Sequence, residues 1–208
     1  MRKLRNIFAH TVNIFANKRS YFENLKNRGA DFPEALILSL FSAVMYGILN
    51  SARTLVSNGV GEYATITTLS EATSTGINNT FDGFLFFLLT FGFISAVTHI
   101  TALKAGLKNW KTTAYALAYS TPAINIYITS LLVYELFQKF IIGFPLIKYI
   151  LALISLAYVG TILAKAIEIF HETTRKKALW VAASPIILVI AAQAALAIYV
   201  MISLLSAL

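Results

Sequence analysis

Long uncharged apolar runs recur through this 208-residue chain, and they restrict it to one class of fold. A helix needs ~20 apolar residues to cross the ~30 Å hydrocarbon core of a bilayer. In lipid the backbone must satisfy its own hydrogen bonds, which a helix does within one segment. Only 12% of the residues are charged, which leaves few charges to interrupt the apolar runs. We therefore predict an all-α integral membrane protein with five transmembrane helices, at about 33–53, 83–103, 112–135, 147–165 and 178–205.

The third predicted span carries more polar groups than solubility in lipid requires. Its middle, Tyr115–Tyr127, contains Pro122 and Asn125 as well as the hydroxyl groups of Ser120 and Thr121. Proline removes one backbone donor and clashes with the preceding turn, so we expect this helix to kink at Pro122. The two hydroxyl groups can bond the carbonyl groups that the kink frees. We interpret this span as a bent central helix against which the other helices pack.

Two stretches outside the spans have compositions of their own. Residues 1–30 contain seven basic residues, with apolar side chains between them at roughly helical spacing. This pattern predicts a basic amphipathic cytoplasmic segment, which lies either on an anionic membrane surface or on the helix bundle. The transmembrane domain then covers residues 31–208. Within it, residues 54–82 are rich in Ser, Thr, Asn and Gly and contain no Lys or Arg, which predicts an exposed extracytoplasmic loop. A short helix around Tyr63 to Ala72 is compatible with this loop.

The distribution of basic residues predicts the orientation in the membrane. The segments before the first span, between the second and third, and between the fourth and fifth contain seven, three and four Lys or Arg residues. The opposite side contains only Arg53, Lys139 and Lys148. Because Lys and Arg accumulate in cytoplasmic segments, we predict a cytoplasmic N-terminus and an extracytoplasmic C-terminus. The same bias explains the net charge of +8, so we expect no nucleic acid as a partner.

The sequence contains none of the patterns that usually mark catalysis or metal binding. It has no cysteine, and its three histidines fall in different segments, so no metal site is predicted. It lacks the HExxH, GxSxG and glycine-rich phosphate-loop motifs. We therefore predict a protein that is not an enzyme, with no catalytic residue and no cofactor.

Polar residues inside the spans are the remaining candidates for function, because polar groups are costly in lipid. One hypothesis is a small transporter or channel subunit, with a proton or solute path in which His99 titrates. The other is that each side chain makes an interhelical hydrogen bond. No Asp, Glu, Lys or Arg lies well inside a span, which favours the second hypothesis, because coupled transporters usually need such a charge. The residues are Asn50, His99, Tyr119, Ser120, Asn125 and Gln193.

Three short motifs follow one another along the chain. They are Asn13–Leu25 before the first span, Leu103–Gly106 after the second, and Ala118-Tyr-Ser-Thr-Pro122 in the third. In these motifs the chain resembles the Yip1 domain family of five-span membrane proteins. The third motif is similar to the Tyr-Ser-x-x-Pro pattern of that family, with one residue fewer before the proline. Gly106 and Pro122 thereby join the candidate residues.

This resemblance implies membrane organisation, scaffolding or trafficking-like partner binding. Eukaryotic members of the family bind prenylated Rab GTPases in the early secretory pathway. This chain lacks their Asp-Leu-Tyr-Gly-Pro motif and their long cytoplasmic N-terminal region, so GTPase binding is not carried over to it. It looks more like the compact prokaryotic members, which implies the cell membrane of a prokaryote. The partners implied are membrane lipids, other membrane proteins or a second copy of the chain.

Overall fold

The computed structural model describes residues 2–59, 69–107, 109–137 and 145–205, and every regular element in those ranges is helical. The all-helical fold is therefore confirmed. The N-terminal segment forms two helices, α1 (Arg2–Ala16) and α2 (Lys18–Asn27). The helices that follow are α3 (Phe32–Gly59), α4 (Leu69–Lys104), α5 (Trp110–Ser120), α6 (Ile124–Phe137), α7 (Pro145–Phe170) and α8 (Arg175–Leu205).

Within the described ranges, four segments are long and apolar enough to cross a membrane. Their outer faces are apolar as well, since large side chains such as Leu89 and Leu153 are exposed. Apolar surface of this extent is unusual on a soluble monomer and suits contact with lipid. The chain is thus an integral membrane protein. The four segments are Phe32–Ser57, Glu71–Lys104, Trp110–Phe137 and Leu146–Phe170.

The predicted loop at 54–82 is too long. Helix α3 continues to Gly59, and α4 already begins at Leu69, so much of the stretch is helical. Residues 60–68, where the middle of the predicted loop falls, lie outside the described residues. With 36 residues, α4 is ~54 Å long at 1.5 Å per residue, which exceeds the hydrocarbon core. Part of this helix must therefore extend beyond the hydrocarbon.

Close packing of α3 on α4 explains why this polar stretch is helical. A side-chain carbon on Gly47 would overlap the carbonyl oxygen of Thr80, and one on Gly83 would lie 3.0 Å from the Cα of Gly47. The hydroxyl of Ser51 also donates to the carbonyl of Gly76 at 2.9 Å. Small residues allow two helix backbones to approach closely in a membrane. This tertiary packing outweighs the weak helix propensity of a stretch rich in Ser, Thr and Asn.

The expected kink in the third span is present as a 3₁₀ turn, Thr121–Ala123, between α5 and α6. Pro122 is buried there and has no N–H with which to reach the carbonyl of Ala118, four residues earlier. The Thr121 hydroxyl donates to that carbonyl instead, at 2.6 Å. Because α5 and α6 together contact α3, α4 and α7, the broken helix lies at the centre of the bundle.

The N-terminal segment packs on the bundle, which is one of the two arrangements considered from the sequence. Ile14 of α1 and Phe22 of α2 are fully buried. They share one core with Leu38 of α3 and Ile167 of α7. The apolar side of the amphipathic segment therefore covers one end of the helix bundle.

Candidate functional site

A polar junction lies where the N-terminal segment, α3 and α5 meet. At its centre the Tyr119 hydroxyl donates to the Glu34 carboxylate, with 2.8 Å between Oη and Oε2. The same hydroxyl oxygen lies 3.2 Å from the backbone nitrogen of Asp31, which donates to it. Tyr119 is fully buried, and its ring stacks on Phe170 of α7 with 6.2 Å between ring centroids. One tyrosine therefore ties the start of α3 to the centre of the bundle.

Arg28 and His10 complete the set of groups around this carboxylate. Nη2 of Arg28 lies 2.7 Å from each of the two Glu34 oxygens. Nε2 of His10 lies 2.8 Å from Oε1 of Glu34, and its Nδ1 lies 3.1 Å from the Tyr21 hydroxyl. We name these five residues, His10, Tyr21, Arg28, Glu34 and Tyr119, the Glu34 junction.

Local structure places each group of the junction. His10 lies on α1 and Tyr21 on α2. Arg28 is the C-cap residue that directly follows α2. Gly29 follows with a φ of +81°, a conformation that favours glycine, and turns the chain towards α3. Glu34 lies in the first turn of α3, where the helix dipole favours a carboxylate. The junction thus closes a short turn between the N-terminal segment and α3.

The electrostatics of the junction favour a fixed arrangement. Hydrogen bonds to an ionised carboxylate are about twice as strong as those between neutral groups. The Glu34 side chain is only 26% exposed, so these bonds are partly shielded from water. Burial, with a smaller contribution from the neighbouring Tyr119 and Glu34, raises the pKa of Tyr21. A protonated Tyr21 can donate to Nδ1 of His10, which leaves the Nε2–H of His10 to donate to Glu34. These bonds together hold the N-terminal segment and α5 against the start of α3.

Tyr119, Ser120 and Pro122, three of the residues singled out from the sequence, follow one another at the helix break. The Ser120 hydroxyl donates to the Ala116 carbonyl at 2.6 Å and lines a central cavity of about 250 Å³. Asn125 lies one turn further along α6. Its side-chain oxygen is buried and has no hydrogen-bond partner among the described residues. Only Tyr119 of these four belongs to the Glu34 junction.

His99 and Gly106 lie elsewhere, near the end of α4. His99 lines a lateral cleft of about 430 Å³ between α3, α4 and α5. Its Nδ1 is buried, without a hydrogen-bond partner in the part of the chain that the structure describes. Gly106 lies two residues after the last residue of α4 and has a φ of +84°, and the N–H of Leu107 donates to the carbonyl of Ala102 at 2.8 Å, as in a glycine-capped helix. His99 and Ser120 therefore line different cavities.

Other polar residues in the helices bond neighbouring helices. The side-chain nitrogen of Asn50 donates to the carbonyl of Asn79 on α4 at 3.4 Å. At the far ends of α6 and α7, Nζ of Lys148 lies 2.8 Å from the carboxylate of Glu135, which is buried. Such contacts fit the hypothesis of interhelical hydrogen bonds. The side chain of Gln193 lies outside what the structure describes.

His171 lies beside the lateral cleft, just after α7. Its Nε2 is 3.0 Å from the hydroxyl of Thr113. Burial lowers the pKa of His171, and the nearby His99 adds to the effect. Among the described residues, no group of three or more His, Cys, Asp or Glu side chains could hold a metal ion. That the protein uses no metal or cofactor stays a prediction.

The sequence alone does not predict the Glu34 junction. Glu34 and Tyr119 are 85 positions apart, so their spacing carries no signal. The sequence feature that could have indicated the junction is Glu34, an acid in the first turn of a span, with Arg28 six positions before it. An acid in that position is also typical of an ordinary helix start, and from the sequence that is the simpler interpretation.

Comparison with models of protein families gives a match to the Yip1 domain over residues 12–204, nearly the whole chain. No curated protein and no solved structure matches significantly. The matched range includes the helix break and every residue of the Glu34 junction except His10. The resemblance that the three sequence motifs suggested is therefore confirmed.

Proposed function

This chain belongs to the Yip1 domain family, and from that premise we propose that it is a five-span membrane protein that organises membranes by binding a protein partner and catalyses no reaction. We place it in the cell membrane of a prokaryote, because it lacks the Asp-Leu-Tyr-Gly-Pro motif of the secretory-pathway members. The partner is another membrane protein or a polar segment of a cytoplasmic one.

Helix α8 is the proposed fifth span. It has 31 residues, which gives a length of ~46 Å at 1.5 Å per residue. Lys177 is its last charged residue, and the helix packs on α7 and α4. Five crossings would put the two termini on opposite sides of the membrane, and the distribution of Lys and Arg supports a cytoplasmic N-terminal segment.

The proposed partner-binding surface is a polar groove between α1 and α2. It has a volume of about 280 Å³ and exposes side-chain amides, a hydroxyl and a guanidinium, which together offer donors and acceptors to a peptide segment. In the proposed orientation it faces the cytoplasm. The polar groups come from His10, Asn13, Asn17, Ser20, Asn24 and Arg28.

The observation that carries this proposal is that three groove residues, His10, Tyr21 and Arg28, also belong to the Glu34 junction. His10 and Arg28 line the groove and hold the Glu34 carboxylate at 2.8 and 2.7 Å. The N-terminal segment therefore cannot leave the bundle without breaking several charge-assisted hydrogen bonds. A surface that is already ordered binds a partner at a lower entropic cost than a flexible one.

Site-specific photocrosslinking in cells of the source organism tests the proposal. A photoreactive residue replaces Asn24 in the groove or, as a control, Leu89 on the exposed face of α4. We expect position 24 to form a discrete adduct with one protein and position 89 to form adducts with lipid alone. Glu34→Gln, which loosens the junction, should lower the yield at position 24 several-fold. If position 24 captures no protein, or if Glu34→Gln leaves the yield unchanged, the proposal is wrong.

A small transporter or channel subunit is the second candidate function. The buried side-chain atoms of His99 and Asn125, which have no partner among the described residues, favour it, since such groups inside a membrane often lie on a solute or proton path. Reconstitution into liposomes tests this function. Proton, ion or solute flux that is lost in His99→Ala or Asn125→Ala would favour transport, whereas the absence of flux in the unmodified protein would exclude it for the solutes tested.

A further inference from the structure

Helices α3 and α4 touch at one end and separate at the other. They are in close contact where Gly47 meets Gly83, which leaves no room for a side-chain carbon on Gly47. Near the start of α3 and the end of α4, residues 32–39 and 91–99 instead line the lateral cleft, with α5 as its floor. Its volume of about 430 Å³ lies within the range of ~300–1,000 Å³ that is usual for small-molecule sites.

The walls of this cleft suit a hydrocarbon chain. Phe91 and Leu117 form part of its lining. Phe32 and Leu36 lie at its edge and are 61% and 47% exposed, so the cleft opens towards the surroundings of the bundle. Since these residues belong to membrane-spanning segments, the surroundings are lipid. An acyl chain can therefore enter from the side.

Two polar atoms in this cleft lack partners. Ser95 Oγ and His99 Nδ1 are buried and have no hydrogen bond within the described residues. Buried polar atoms nearly always have a partner, because leaving one unpaired is costly. His99 precedes the end of α4 by five residues, or ~7.5 Å along the helix. That is about the depth of the interfacial layer, where the ester carbonyl groups of phospholipids could accept from a hydroxyl or an imidazole N–H.

Two lysines lie at the helix ends nearest this cleft, although neither lines it. Lys104 ends α4 and Lys111 lies in the first turn of α5, and both are exposed. In the described ranges neither ammonium group has a carboxylate partner. Trp110, which is 59% exposed, lines the cleft beside them, and tryptophan favours the membrane interface. Paired lysines at that level attract anionic headgroups.

We propose that the lateral cleft binds one molecule of an anionic phospholipid. Its phosphate lies near Lys104 and Lys111, its ester groups lie beside Ser95 and His99, and one acyl chain follows the apolar wall. The site goes beyond the proposed partner binding and does not depend on it, since it requires only that α3, α4 and α5 lie in lipid.

The two tryptophans of the chain supply a reporter and a matched control. Trp180→Phe leaves Trp110 at the cleft as the only tryptophan. Trp110→Phe leaves Trp180, which is exposed on α8 three residues after Lys177. Each variant is reconstituted in phosphatidylcholine vesicles that contain brominated phosphatidylglycerol or brominated phosphatidylcholine, whose bromines quench tryptophan fluorescence on contact. The preference of a tryptophan for phosphatidylglycerol is the ratio of its quenching by brominated phosphatidylglycerol to its quenching by brominated phosphatidylcholine. We expect this preference to be about fivefold greater for Trp110 than for Trp180.

Three further variants separate a cleft site from general attraction to charge. Lys104→Gln with Lys111→Gln should lower the preference of Trp110 to about that of Trp180, whereas Lys176→Gln with Lys177→Gln, the same change in charge at another exposed site, should leave it intact. Ala96→Phe, at an exposed position that lines the cleft, should abolish the preference without a change in charge. Circular dichroism checks that each variant keeps its helix content. If Trp110 and Trp180 show equal preferences, or if the two lysine pairs have equal effects, the lipid is only annular and the proposal is overturned.

Discussion

At the scale of single residues, Glu34 matters most, because one carboxylate holds groups from α1, the end of α2 and α5. Glu34→Gln keeps the size of the side chain and removes its charge, which leaves Arg28 without its carboxylate. We expect the free energy of unfolding in mild detergent to fall by about 1.5–3 kcal/mol, the range for hydrogen bonds to charged groups. Denaturant titration followed by circular dichroism measures it.

The chain offers two matched comparisons for that change. Tyr119→Phe keeps the ring that stacks on Phe170 and removes the hydroxyl that donates to Glu34, so it should cost about 1.5–3 kcal/mol. Glu23→Gln breaks an exposed pair with Arg19 on α2, which water screens, so it should cost less stability than Glu34→Gln. A Glu34→Gln variant no less stable than Glu23→Gln would show that the junction does not hold the N-terminal segment.

His171 gives the stability a dependence on pH. Burial first, and then His99, lowers its pKa below the ordinary value of 6.5, so the folded chain takes up this proton at a lower pH than the unfolded chain. The contribution to stability is therefore complete above about pH 6.5 and is lost as the pH falls through the folded pKa. Between about pH 7.5 and about pH 5, the unmodified protein should lose more stability than His171→Gln. Equal losses in the two proteins would contradict this assignment.

At the scale of elements, the contact between α3 and α4 depends on the absence of a side chain at Gly47. In Gly47→Ala the new methyl group would overlap the Thr80 carbonyl and force the two helices apart. We expect a loss of about 1–3 kcal/mol, typical of overpacking. Gly92→Ala on α4 meets open space and should be neutral or slightly stabilising. Thermal unfolding of both variants measures the difference, and equal midpoints would mean that the close contact is not formed.

The same elements show which features a sequence reveals. The break at Pro122 is predictable because proline acts on its own turn and the hydroxyl of Thr121 is its direct neighbour. The early start of α4 is not, because it depends on glycines of two helices meeting across dozens of residues. The predicted loop at 54–82 was too long for that reason: local composition favoured a loop, and distant packing favoured a helix.

At the scale of the whole molecule, the apolar runs were enough to predict a helical membrane protein, because the bilayer imposes the same length and backbone requirement on every span. Four of the five predicted spans have a counterpart that is long and apolar enough. The candidate site was predicted only in part. Tyr119 was singled out as a costly polar group, but its partner Glu34 lies 85 positions away and was assigned to a helix start.

Labelling of introduced cysteines tests the five-span topology directly, because the chain contains no native cysteine. Asn13→Cys lies on exposed surface of α1, and Ala207→Cys lies next to the last residue of the sequence. With a membrane-impermeant maleimide on intact cells, we predict labelling at position 207 and labelling at position 13 only after permeabilisation. Labelling of both positions from the same side would require an even number of crossings and would contradict the five-span fold.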